Sequence, residues 1–311
     1  MIIKALRKKA RHALIVLADH RWWPFYIQRC FMQPKTRAYL SSLMALTRPV
    51  ASNIQKSAEE VKKHSVALKQ SGITHLGTLL SNQQCIELKN YFSKLSVFDP
   101  YNPKAPVYLP NSQDRNPESH IAHHHALDVV TAPYLLEIAN NPHILDIASA
   151  FLGCKPTIGY LAAWWSYHTG NGAQHAEKFH RDVDDWRFLK LFIYITDVDA
   201  QSGPHIYVAN SSISEKLREI RRFEESEVVA LFGQNNVMQL TGQAGKAFLE
   251  DTFGIHKGQP VQLGNRLIFQ AVYSMFQLPY GPKHPVIKQS ELLNISTSRF
   301  DPWVNRLYIS P

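Results

Sequence analysis

The chain has 311 residues, of which 45% are hydrophobic and 19% charged, ample to bury a core in a protein of this length. Its three cysteines, Cys30, Cys85 and Cys154, form no C-x-x-C pair, which argues against a disulfide framework or a cysteine zinc site and points to a reducing compartment. The net charge of +9 is unevenly placed: residues 1–58 hold eleven Lys and Arg against one acid, Asp19, a net of +10, so the remainder sums to −1.

That basic segment comes first in the chain. Met1 to Ala18 mixes Lys and Arg with Ile2, Ile3, Leu6, Leu14, Ile15, Val16 and Leu17, and Trp22, Trp23, Phe25 and Tyr26 follow. An interfacial helix needs this combination: cations for anionic headgroups, apolar side chains for the acyl boundary and amphipathic rings between them. The apolar run Ala13 to Ala18 is too short to span a bilayer, and the segment lacks the long apolar region and cleavage site of a secretory signal. In the plainer alternative, Leu14 to Leu17 and the aromatics pack on the rest of the protein while the charges face water. Organellar targeting is a further reading. The expectation is a basic amphipathic arm over residues 1–65, contacting an anionic membrane through residues 1–30 from the cytoplasmic side; nucleic acid is not expected as a partner.

From Ser71 a short strand-like run leads to a helix whose start is marked by Ser81 with Gln84 three residues on, a capping-box spacing. Leu88, Tyr91, Phe92 and Leu95 recur on one face of it. Residues 98–120 are rich in Pro, Asn, Asp and Ser and read as a loop. A second helical region is expected over Pro133 to Phe151, closed by Gly153. Beyond it, runs rich in β-branched and aromatic residues predominate: Thr157 to Tyr167, Phe188 to Val198, His205 to Val208, Val237 to Leu240, Lys246 to Leu249, Arg266 to Tyr273 and Leu292 to Ser296. They predict a mainly β fold with flanking helices, a double-stranded β-helix of the jelly-roll, cupin-like kind. The expected domain covers residues 66–311, its helical part about 78–153 and its jelly roll about 154–300. A helical insertion over Ser212 to Leu231 is either a lid over the site or a surface excursion.

Within the β region, Phe179-His180-Arg181-Asp182 is followed by Ile255-His256-Lys257-Gly258, with His256 74 residues past Asp182, and Arg266 stands ten residues past His256. Two imidazoles and one carboxylate can cap one face of a redox-active iron and leave three positions open. His180 and Asp182 are two apart, so on a strand both would point to one face. Arg266 could pair in bidentate fashion with the far carboxylate of a dicarboxylic acid chelating the metal. Among fifteen histidines the His-x-Asp spacing alone is weakly specific.

The surrounding words are more specific. His180-Arg181-Asp182 through Trp186 to Val198, then Ser202-Gly203-Pro204-His205-Ile206-Tyr207-Val208, and Gly245 to Gly258 resemble the phytanoyl-CoA dioxygenase family, as do Ser71 to Cys85 and Asn141 to Gly153. The likeness spans roughly residues 70–285. It implies an Fe(II)- and 2-oxoglutarate-dependent dioxygenase in which His180, Asp182 and His256 hold iron and Arg266 pairs with 2-oxoglutarate. O2 would be consumed, a small or lipid-linked organic substrate hydroxylated, and succinate and CO2 released. Because Asp182 is present, a halide-binding variant is disfavoured. Lys190 is a second candidate for 2-oxoglutarate, and Trp165 and Trp186, with Trp164, are candidates for the substrate wall. Ordinary core packing is the competing reading for each Trp. His123, His124 and His125 could touch substrate, but adjacent side chains on an extended segment diverge too much for one metal. No phosphate-binding loop, dinucleotide fingerprint or Gly-x-Ser-x-Gly elbow is present. A non-catalytic module that binds metal and 2-oxoglutarate and carries a basic arm for membrane or nucleic acid is the alternative. A zinc hydrolase is a weaker one, because it leaves Arg266 without a role.

Overall fold

The computed structural model describes residues 14, 16–51, 58–292 and 300–311. Most of the expected interfacial helix (1–13 and 15) and the expected strand after Leu292 lie outside the described residues, and Leu292 itself is in coil. Before the β region the helices are α1 (Trp22–Gln28), α2 (Pro34–Ala45), α3 (Ala58–Ser71), α4 (Asn82–Ser93), α5 (Ala126–Val130), α6 (Leu135–Ala139) and α7 (Pro142–Leu152). The strands of the two main sheets are β1 (Ile73–Thr78), β2 (Val97–Phe98), β3 (Ile121–His124), β4 (Thr157–Tyr167), β5 (Phe188–Tyr194), β6 (His205–Val208), β7 (Val237–Leu240), β8 (Lys246–Glu250), β9 (His256–Gly258) and β10 (Asn265–Ser274); Ile287–Lys288 and Ile309–Ser310 form a separate parallel pair. A late helix, α8 (Glu225–Phe232), interrupts them.

Two sheets form the jelly roll that the strand pattern predicts. The larger is antiparallel in the order β1-β8-β5-β10-β4-β3-β2, and the smaller runs β7-β6-β9. Residues of β4, β5 and β10 are buried almost throughout, because this sheet is covered on both faces. One face meets the smaller sheet through Phe192, Tyr194, Phe248 and Ile268 against Tyr207 and Leu240. The other carries the main core, where Leu161, Leu191, Leu249 and Phe269 pack with Leu88, Phe92, Ile144 and Ile147 of the helices. Each such side chain contributes roughly 1.5–3 kcal/mol by leaving water.

The helix signals have local causes. Ser81 Oγ accepts from the Gln84 N–H while Gln84 Oε1 accepts from the Ser81 N–H, closing the expected capping box and turning Cys85, Leu88 and Phe92 inward. The helical region expected over Pro133 to Phe151 consists of two helices, α6 and α7. Pro142 has no N–H to continue α6 and instead begins α7, with Asn141 capping the His143 N–H. Gly153 ends α7 in the left-handed conformation, φ 79°.

Two boundaries differ from the sequence reading. α3 runs through residue 65 and buries Val61 and Leu68 in the main core, so the proposed edge between arm and domain falls inside a helix that packs on α7. In the 212–231 insertion only Glu225 onward is helical, and α8 with Val228 packs beside Ile206 and Val208. Alternation along β6 turns those two away from Tyr207, so α8 covers the outer face of the smaller sheet, while Arg222 of the same insertion lies near enough to His180 and Tyr101 to act on both electrostatically. Among the described residues no helix is long and apolar enough to cross a membrane.

Tyr207 also explains two glycines. A Cβ on Gly72 (φ +84°) would lie 1.9 Å from the Tyr207 hydroxyl, and one on Gly254 2.1 Å from it, while that hydroxyl donates to the Asp251 carbonyl at 3.1 Å. Gly72→Ala combines a left-handed backbone with overpacking. It is expected to cost at least about 2 kcal/mol, seen as a lower urea midpoint with an unchanged slope.

Candidate metal centre

The two distant histidines are tied through their own main chains. His180 N–H donates to the His256 carbonyl and His256 N–H to the His180 carbonyl, both at 2.9 Å. Residues 179–182 therefore continue the smaller sheet beyond β9, though as an extended segment with an isolated bridge rather than the expected regular strand. The i, i+2 geometry survives: His180 and Asp182 face the cavity. Arg181 points the other way, donating to the carbonyls of Leu217 (2.7 Å), Phe253 (2.6 Å) and Lys216 (3.0 Å). The Asp182 N–H donates to the Thr252 carbonyl at 2.9 Å.

The result is a trio whose donor atoms lie within 4.8 Å of one another. Asp182 Oδ1 is 3.4 Å from His180 Nε2, and Oδ2 is 3.2 Å from His256 Nε2. Nδ1 of His180 contacts the Lys178 carbonyl at 2.9 Å and Nδ1 of His256 the Gly254 carbonyl at 3.0 Å. A carbonyl only accepts, so each Nδ1 carries the proton and each Nε2 offers its lone pair to the cavity.

The charges suit metal binding. Burial and the neighbouring His256 push His180 down to about 4. Burial works against the charge on Asp182, but Lys190 and His256 outweigh it and hold the carboxyl well below the usual range. For His256, burial is outweighed by Asp182 and the net direction is upward. Lys190 is buried, with Nζ 2.6 Å from Asp182 and 2.9 Å from Asp184. Despite its burial, those carboxylates raise its pKa.

Arg266, on β10, reaches the same cavity of about 240 Å³. It donates from Nη1 to the Gly203 carbonyl and from Nη2 to Ser166 Oγ at 3.0 Å. Its buried Nε has no hydrogen-bond partner among the described residues, a donor that a carboxylate would satisfy. Two imidazole nitrogens, one carboxylate and a guanidinium with an unfilled donor thus fit a divalent metal with an anionic co-ligand.

The expected tryptophan wall needs correction. Along β4 successive side chains alternate, so Trp164 lines the cavity, whereas Trp165 is buried in the main core with Nε1 donating to His124 Nε2 at 3.1 Å. Trp186 is also core, its ring 5.5 Å from Phe31. Of the histidine run, His123 stacks on Trp164 at 5.4 Å and lines the cavity, and His125 precedes α5. His205 is buried, 3.0 Å from Glu250, its ring stacked on that of His256 at 5.4 Å. Sequence reasoning missed Tyr101, His120, Tyr160 and Glu177, which complete the wall. Tyr101 and His120 come from the polar loop, where no periodicity marks an inward residue. Burial raises the pKa of Glu177.

A second trio, Glu60, His64 and His143, also brings donor atoms within 4.8 Å of one another. Glu60 is exposed there and the histidines only half-buried.

No family model matches the chain, and no curated protein matches it. Solved structures similar to it include a non-heme alpha-ketoglutarate-dependent carbocyclase, SnoK, from nogalamycin biosynthesis, at 14% identity over 72% of this chain and 86% of that one, TM-score 0.49. HygX from Streptomyces hygroscopicus, with nickel and 2-oxoglutarate bound, matches at 10% identity over 72% and 89%, TM-score 0.49. EctD from S. alaskensis, with 2-oxoglutarate and 5-hydroxyectoine, matches at 18% over 85% and 94%, TM-score 0.49. At these values no residue role passes from them to this chain.

Metal binding tests the trio directly. Metal-free protein titrated with Co(II) should bind one equivalent with visible d–d bands. Asp182→Ala and His256→Ala should each weaken binding by more than the roughly tenfold to hundredfold that loss of a supporting partner costs. Affinity should fall as the pH drops through the histidine range, because His256, raised by Asp182, must shed its proton to bind.

Proposed function

We propose that the protein is an Fe(II)- and 2-oxoglutarate-dependent dioxygenase of the phytanoyl-CoA dioxygenase type, hydroxylating a small or lipid-linked organic substrate and releasing succinate and CO2. One observation carries this reading: His180, Asp182 and His256 converge in a cavity that Arg266 also lines, with a guanidinium N–H still unfilled. A zinc hydrolase has use for the trio but none for the arginine. The resemblance in the residues around His180 and His256 points to the same family.

In this reading His180 and His256 through Nε2, with Asp182, would hold the iron. When bound, it supplies open coordination positions and electrons for oxygen activation coupled to oxidative decarboxylation of 2-oxoglutarate. Arg266 would pair with the distal carboxylate of 2-oxoglutarate. Its contacts to Gly203 and Ser166 hold the guanidinium in place before the co-substrate arrives, so little side-chain entropy is lost on binding.

Lys190 has a different part from the one its position on β5 first suggests. Its ammonium is engaged by Asp182 and Asp184, so it keeps the ligand carboxylate ionised and oriented rather than offering a free cation to 2-oxoglutarate. The substrate would lie against the rings of Tyr101, His120, His123 and Trp164. Tyr101 is itself stacked on His175 with centroids 3.7 Å apart.

The anaerobic visible spectrum with Fe(II) should gain a charge-transfer band on adding 2-oxoglutarate. Arg266→Ala should weaken 2-oxoglutarate binding on the order of a hundredfold, the usual consequence of removing one partner of a buried charge pair. Arg266→Lys should recover part of it. Fe(II) binding without any 2-oxoglutarate dependence would instead support a metal-binding module.

A further inference from the structure

The first described helices bury polar side chains and leave several large apolar ones in water; α2 also sets Leu40, Met44 and Ala45 on the main core. α2 turns polar residues toward the protein: Arg37 is buried, donating from Nη1 to the Gln28 carbonyl at 3.2 Å and from Nη2 to the Asp185 carbonyl, and Ser41 is buried beside it. Its outer side carries Tyr39 and Leu43, one turn apart. Leu46, which caps the helix, and Val50, in the non-helical chain beyond it, are 82% and 84% exposed. α1 does the same. Gln28 is fully buried and donates to the Val183 carbonyl at 2.8 Å, while Trp23 and Ile27, one turn apart, are each more than half exposed.

This is not the ordinary scatter of surface apolar residues. Of the 21 large hydrophobic side chains exposed among the described residues, ten lie between Leu14 and Val50. A helix packed on its own domain normally keeps its solvent side polar, and apolar surface concentrated in this way marks a binding face. The same stretch of chain carries the charge. Asp19 pairs with Arg21 at 2.7 Å, Arg37 is buried, and Arg29 and Arg48 lie over the Phe25 and Phe276 rings, which leaves seven further Lys and Arg in residues 1–58 and no second acid.

We propose that this surface seats the protein on a bilayer bearing anionic lipid headgroups, with Tyr39, Leu43, Leu46, Val50, Trp23 and Ile27 entering the boundary of headgroups and acyl chains. Nucleic acid would use the cations but give no role to the apolar row. A second copy of the chain would use the apolar row but would meet its own excess of positive charge. The seat adjoins the candidate metal loop. Gln28 Nε2 and Arg29 Nε both donate to the Val183 carbonyl, at 2.8 and 3.2 Å, one residue past Asp182. The docking surface stands independently of the oxygenase reading.

The test is flotation of the full-length protein with vesicles of phosphatidylcholine alone, or with about one-third phosphatidylglycerol, at low and high salt. Wild type should float with the anionic vesicles at low salt and partition much less onto the neutral ones. Leu43→Ser/Leu46→Ser/Val50→Ser should reduce that partition by about tenfold or more while thermal melting and Co(II) binding stay unchanged, since these side chains face water. Equal flotation of the triple variant, or no flotation of wild type, overturns the proposal. So does a wild-type dimer in sedimentation that the triple substitution dissolves with no vesicle binding by either protein; that result assigns the face to a second copy.

Discussion

The reciprocal main-chain pair between His180 and His256 is the constraint on which the site depends. It brings residues separated by most of the β region into contact through main-chain hydrogen bonds, and it sets both imidazoles on one wall. Everything else in the cavity is referred to that pair. Asp182 follows from the two-residue period of an extended segment, and Arg181, facing the other way, locks the segment to the 216–217 and 253 carbonyls. Arg266 enters from the opposing sheet, so the cavity lies between the two layers of the jelly roll.

Charge is arranged with equal economy. A buried carboxylate beside two imidazoles is unfavourable unless a cation compensates it, and Lys190 supplies one from β5. This gives the lysine a structural reason to be buried. It also keeps Asp182 ionised, which a metal ligand must be. The loop that follows is held from outside by α1 and α2, through the carbonyls of Val183 and Asp185, and its Asp185 carboxylate accepts N–H groups from Trp186, Met275 and Phe276. The inward faces of these two helices carry Gln28, Arg37 and Ser41, two of which bond backbone carbonyls of that loop, beside Leu40, Met44 and Ala45 on the core. Further apolar residues are left outside.

Much of this was legible in the sequence. β4, β6 and β7 match their expected bounds, because β-branched and aromatic runs bounded by turn residues have few other ways to pack. The capping box at Ser81 is a local interaction and formed as read. The iron-type trio and Arg266 were visible as spacings, and the resemblance to an oxygenase family singled them out from fifteen histidines.

The sequence by itself determined β4, β6 and β7, the capped start of α4, the alternation of neighbouring strand residues, and the uneven charge, since all of these depend only on local periodicity and composition. Tertiary structure decided what depends on neighbours far along the chain. It chose Trp164 over Trp165 for the cavity, because alternation fixes that the two diverge but not which of them faces the second sheet. It packed α8, the helical part of the 212–231 insertion, onto the outer face of β6. It placed Lys190 against Asp182, and set the apolar row of α2 in water, because only packing shows which face of a helix the protein covers.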